Sequence, residues 1–82
     1  MDRTSVLQQL LNYVGREILD GQTEDLDEET PLLEWGVINS MEITRMLAFI
    51  KETWGVEIPG DAVLPHNFQD LNAITELVLA HQ

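Results

Sequence analysis

Between residues 39 and 54, Ile43, Met46, Leu47, Ile50 and Trp54 recur at three- and four-residue steps, the spacing that puts side chains on one face of an α-helix. Two other segments carry the same period. Val6, Leu7, Leu10, Leu11, Val14 and Ile18 share a face within residues 4–19, and Leu71, Ile74, Leu77 and Val78 share one near the end of the chain. Each helix needs a partner for its apolar stripe, and 82 residues leave room for one core. Cysteine is absent, so disulfides, thiolate zinc sites and cysteine nucleophiles are excluded and packing alone must supply stability.

The helix boundaries follow from local chemistry. Thr4 or Ser5 can cap the first helix, and Asp20-Gly21 can stop it, because glycine adopts the left-handed conformation found at helix ends. Gly55 ends the second helix, and Pro59-Gly60 prevents its extension. The stretch 61–64, before Pro65, has the length of one short helical turn, and Asp70 caps the last helix. Strand patterns and internal repeats are missing. The expected fold is all-α: a small bundle of three main helices plus one short helix, with a long first loop, forming a single domain over residues 1–82.

Four Lys+Arg stand against fifteen Asp+Glu, a net charge of −11. Phosphate backbones and anionic membrane surfaces would repel such a chain, which argues against nucleic-acid and membrane partners and for basic protein surfaces. No apolar run reaches the roughly 20 residues of a membrane span, and the N-terminus lacks a signal-peptide layout, so the expected compartment is the cytoplasm. The acids are concentrated. Asp20, Glu24, Asp25, Asp27, Glu28 and Glu29 crowd the first loop without a basic residue among them. Its second half carries Pro31, Leu32, Leu33, Trp35, Val37 and Ile38 and should fold back onto the core.

Several catalytic and metal patterns fail on their own terms. Asp25, Asp27 and Glu29 alternate as in an EF-hand, but Thr30 stands where the sharp turn needs glycine and Gly36 where a bidentate glutamate belongs. His66 and His81 have no partner at metal-ligand spacing. Ser40, His66 and Asp70 supply the residue types of a hydrolase triad without a G-x-S-x-G elbow or a preceding strand.

What remains is the segment that runs into the second helix, Trp35-Gly36-Val37-Ile38-Asn39-Ser40-Met41-Glu42. If Asn39 is the N-cap, Glu42 falls at the third helical position and can complete a capping box. Ser40 would then sit in the first turn, its hydroxyl outward beside unpaired backbone N–H groups and the positive end of the helix dipole, a setting suited to an attached phosphate. If Ser40 is itself the cap, the hydroxyl is consumed locally. Local sequence leaves both readings open.

Gly36-Val37-Ile38-Asn39-Ser40-Met41 resembles the attachment motif of acyl and peptidyl carrier proteins, a glycine and two apolar residues followed by Asp-Ser-Leu at the start of the second helix. The resemblance covers almost the whole chain: the Thr30-Pro31-Leu32-Leu33 run, the second-helix stripe, the Gly-Val-Glu-Ile-Pro turn at 55–59, a short third helix and the Asn67-Phe68-Gln69-Asp70-Leu71 lead into the last. It implies that Ser40 receives a 4′-phosphopantetheine arm from coenzyme A through a magnesium-dependent phosphopantetheinyl transferase. The arm would carry an acyl or aminoacyl group as a thioester, so the chain would be a monomeric, non-catalytic tether rather than an enzyme. Its partners would be an adenylating or other acyl-loading enzyme, then an acyltransferase, ketosynthase or tailoring enzyme.

Asn39 and Met41 depart from the usual aspartate and leucine, and Arg45 and Lys51 accompany Glu42 and Glu52 on a helix that is heavily acidic in fatty-acid-synthase carriers. The Leu-Leu-Glu-Trp-Gly-Val-x-Asn-Ser-Met string is similar to carriers of pyrrole-type or amino-acid-derived units, which implies polyketide or nonribosomal peptide type biosynthesis. Met1 and the close fit of length to helices suggest a free-standing protein. By position, Val37, Asn39, Met41, Glu42 and Arg45 flank Ser40 as partner-binding residues, joined by Val63 and Leu64 of the short helix; core packing is the alternative for Val37, Met41, Val63 and Leu64. Ile43, Leu47, Ile50 and Trp54 are assigned to the core. An unmodified acidic interaction module is the competing functional reading, and it rests on charge alone.

Overall fold

The structure is a computed structural model that describes residues 2–21 and 26–82. Its order is α1 (Arg3–Tyr13), a π-helical continuation (Val14–Ile18), α2 (Ser40–Trp54), two 3-10 turns (Gly60–Ala62 and Pro65–Asn67) and α3 (Leu71–Ala80). The described residues include no strand, and the expected small helical bundle is what forms. Glu24 and Asp25, part of the acidic cluster and of the EF-hand comparison, lie outside the described residues.

The cap of α1 is Asp2, not Thr4 or Ser5: its carboxylate accepts the Ser5 backbone N–H at 3.1 Å. The helix therefore starts a turn before its first buried residue, Val6. At its other end the backbone widens, and the Leu19 N–H donates to the Val14 carbonyl at 2.9 Å, the longer reach of a π-turn. Asp20 and Gly21 then stop the chain with φ of 55° and 87°. Aspartate and glycine are among the residues that adopt this conformation most readily.

α1 packs against α3, with Val6 and Leu10 of the first, Val14 of its π-helical continuation, and Leu71, Ile74 and Val78 of the last buried in one apolar cluster. Arg3 adds a surface clamp, donating from Nε to Glu76 at 2.8 Å and from Nη2 to Asn72 at 2.9 Å. Both partners of this ion pair are exposed, so packing rather than charge holds the two helices together. α2 contributes Met46 and Ile50 as fully buried residues, while Ile43, Leu47 and Trp54, expected in the core, are only partly buried. Phe49 and Trp54 instead form an aromatic bridge at the end of α2: Phe49 stacks on Tyr13 with centroids 4.3 Å apart and meets Trp54 edge-on at 5.7 Å.

The loop before α2 is tied to the start of α3. The Leu32 N–H donates to the Gln69 carbonyl at 2.8 Å, and the Asn72 N–H to Glu28 at 3.1 Å. Leu32 and Ile38 are buried as the apolar content required, each removal from water being worth about 1.5–3 kcal/mol. Trp35 departs from expectation and is 60% exposed. The cause is a turn: the Leu32 carbonyl accepts both the Val37 and Ile38 N–H groups, which brings the flanks inward and leaves Trp35 on the outer bend.

After α2, Gly55 takes φ 69° and closes the helix. The single short helix expected over 61–64 is replaced by two 3-10 turns. Pro65 explains the break, because Leu64 before it is held extended at φ −120°, ψ 150° and cannot continue a helix.

Candidate functional site

The site is built where the loop enters α2. Gly36 turns with φ 71°, and Val37 and Ile38 are drawn back to Leu32. Asn39 follows in extended conformation, φ −131°, ψ −170°. Its Oδ1 accepts the Met41 N–H at 2.9 Å and the Glu42 N–H at 3.2 Å, and its carbonyl accepts Ile43 N–H at 2.9 Å. Asn39 is therefore the cap and Ser40 the first helical residue, which settles the choice that local sequence left open. The reciprocal half of a capping box is not made: among the described residues Glu42 does not reach back to Asn39.

Ser40 is exposed, and among the described residues its hydroxyl has no hydrogen-bond partner. The expectation of several open N–H groups beside it needs correcting. Asn39 takes those of Met41 and Glu42, so among the described residues the backbone N–H of Ser40 is the one left without a partner in the first turn. One turn on, the Thr44 hydroxyl donates to the Ser40 carbonyl at 3.0 Å.

A groove of about 500 Å³ opens beside this serine, with Ile43 and Leu47 of α2 on one wall and Val63, Leu64 and Phe68 on the other. Ile43 and Leu47 are not sealed in the core because they border this groove, which lies between α2 and the segment of the two 3-10 turns. Val37 and Val63 are partly buried against the core, whereas Met41 is 69% and Leu64 43% exposed. Glu42 is half-buried and Arg45 exposed. Arg3, Arg16 and Lys51 pair with Glu76, Glu17 and Glu57, so among the described residues Arg45 is the cation without an ion pair. The groove residues Leu33, Pro65 and Phe68 were not singled out by sequence; Pro65 was the available signal, since it forces Leu64 into extended backbone.

Ser40, His66 and Asp70 do not form a triad. Asp70 caps α3, its carboxylate accepting the Ala73 N–H at 2.8 Å, and no hydrogen bond links the three side chains.

Known proteins agree with this architecture. No family model matches the chain. It is 30% identical over 69 residues to a probable acyl carrier protein, PigG, of Serratia sp. (strain ATCC 39006), spanning 84% of this chain and 79% of that protein. It also superposes, with a TM-score of 0.79 and 32% identity, on a chain of a crystal structure described as that of an FAD-dependent dehydrogenase, covering 84% of this chain and 97% of the other. The chain belongs to the acyl carrier protein family. Among the described residues no helix is long and apolar enough to cross a membrane.

Proposed function

We propose that residues 1–82 form one carrier domain whose Ser40 bears a 4′-phosphopantetheine arm derived from coenzyme A. The observation that carries this reading is Ser40 itself: a first-turn serine, exposed, with an uncommitted hydroxyl because Asn39 does the capping. The surrounding donor set suits an attached phosphate. Among the described residues the Ser40 N–H has no partner, the positive end of α2 lies beneath it, and the neighbouring side chain is a neutral amide rather than a carboxylate. When attached, the arm supplies a terminal thiol on which an acyl or aminoacyl group rides as a thioester. The chain's own residues bind and present: α2 fixes where the arm leaves the surface, and Met41, Leu64 and Arg45 offer the exposed contacts around it. Tethering raises the effective concentration of the carried group at each partner enzyme, which is the domain's contribution to rate.

The partners are a phosphopantetheinyl transferase, an adenylating or other loading enzyme, and tailoring enzymes of polyketide or nonribosomal peptide type biosynthesis. The likeness to a chain from a structure described as that of an FAD-dependent dehydrogenase supports a flavin-dependent dehydrogenase as one of these tailoring partners. Met41 is suited to serving several partners in turn, because its flexible thioether repacks against different surfaces.

The test is incubation of the folded protein with coenzyme A, magnesium and a permissive transferase. The wild type gains the mass of one phosphopantetheine and Ser40→Ala gains none; absence of any gain on the folded wild type overturns the reading.

A further inference from the structure

This inference rests on Ser40 as the attachment point and concerns the residue before it. We infer that Asn39 has a second role besides capping: its side-chain amide Nδ2–H donates to the phosphate joined to Ser40 Oγ and so holds the base of the arm.

Three polar side chains line the groove beside Ser40, those of Asn39, Ser40 and Thr44. The Ser40 hydroxyl is lost as a donor once its oxygen is joined to phosphorus. Thr44 has already given its proton to the Ser40 carbonyl at 3.0 Å. Asn39 remains. Its Oδ1 is fixed toward α2 by two N–H groups, at 2.9 and 3.2 Å, so the planar amide must turn Nδ2 away from the helix, where among the described residues it has no partner. An amide carries two donors there and an ionised carboxylate carries none. An aspartate would cap equally well, but it would put a second negative charge beside the phosphate in place of a donor. Asparagine therefore accomplishes with one side chain what aspartate cannot: an acceptor for the helix and a donor for the anion. Together with the Ser40 backbone N–H, it gives the phosphate two donors from adjacent groups.

The experiment uses the full chain labelled with ¹⁵N, in its unmodified form and after transferase treatment, the modification being verified by intact mass. On modification, exchange of the Asn39 Nδ2 protons with water slows by about fivefold or more, the factor a net hydrogen bond contributes, and their resonances move. Asn39→Ser keeps a capping oxygen without Nδ2 and without charge, and Asn39→Asp keeps the oxygen and adds charge. Both shift the ³¹P resonance of the modified protein from its wild-type position. The inference is overturned if Nδ2 exchange and resonances are the same before and after modification, or if Asn39→Ser leaves the ³¹P resonance unmoved. A folded wild type that gains no mass removes the attachment reading and this inference with it, whereas mass gain with an unchanged Asn39 removes the inference alone.

Discussion

Asn39 Oδ1 accepts the backbone N–H of Met41 at 2.9 Å, and that bond makes Ser40 the first residue of α2. Removing the cap should therefore loosen the helix start. Asn39→Ala is expected to cost about 1 kcal/mol, which in a domain of this size lowers the melting temperature by about 4–8 °C. Asn39→Asp and Asn39→Ser, which retain a capping oxygen, should stay near the wild type. Thermal unfolding followed by circular dichroism checks this; equal stability of Asn39→Ala and wild type would refute the capping role.

Gly36 holds φ 71°, and a Cβ added there would meet nothing within 4 Å. The cost of Gly36→Ala is thus one of backbone conformation alone, about 1–2 kcal/mol. Because this turn leads Val37 and Ile38 back to Leu32, the same substitution should shift amide resonances from Val37 to Met41 while leaving α3 unchanged. Denaturant titration and a ¹H–¹⁵N spectrum provide the two measurements, and shifts spread evenly over α3 would contradict the local account.

Tyr13, the last residue of α1, stacks on Phe49 of α2 with an interplanar angle of 29°. A double-mutant cycle with Tyr13→Leu and Phe49→Leu should give a coupling energy of about 0.5–1.5 kcal/mol beyond the individual losses. Strict additivity would mean that the rings merely fill space.

Met41 is an exposed apolar side chain next to Ser40. Met41→Asp should leave stability within about 0.5 kcal/mol, as is usual for surface substitutions. If Met41 anchors a partner, the same change should slow loading by the proposed acyl- or aminoacyl-loading enzyme by about tenfold, the equivalent of a moderate interface residue. Unaltered loading kinetics would remove Met41 from the docking surface.

Helical periodicity made all three α-helices legible in the sequence, and Gly55 and Asp70 marked boundaries that the structure reproduces. Three kinds of feature escaped. The first was competition between adjacent capping residues: Asn39 and Ser40 are both good caps, and only the backbone angles of Asn39 decide between them. The second was how far a buried stripe extends around a helix. Ile43 and Leu47 have the period of core residues, yet they border an open groove because the chain opposite them is broken at Leu64-Pro65. The third was the outward placement of Trp35, set by a turn whose hydrogen bonds run through the Leu32 carbonyl and leave no pattern in residue type. At the site, residue identity pointed to Ser40 through resemblance, while the lack of a partner for its hydroxyl and for the Asn39 amide, among the described residues, became visible only once each hydrogen-bond donor had an assigned acceptor.

The central claim is that Ser40 carries the arm, and intact-mass spectrometry before and after transferase treatment tests it most directly. The account predicts the addition of one phosphopantetheine to the wild type, located on the peptide that contains Ser40, and none to Ser40→Ala with its fold intact. A folded wild type that stays at its original mass, or a Ser40→Ala variant that still gains the arm, would contradict it.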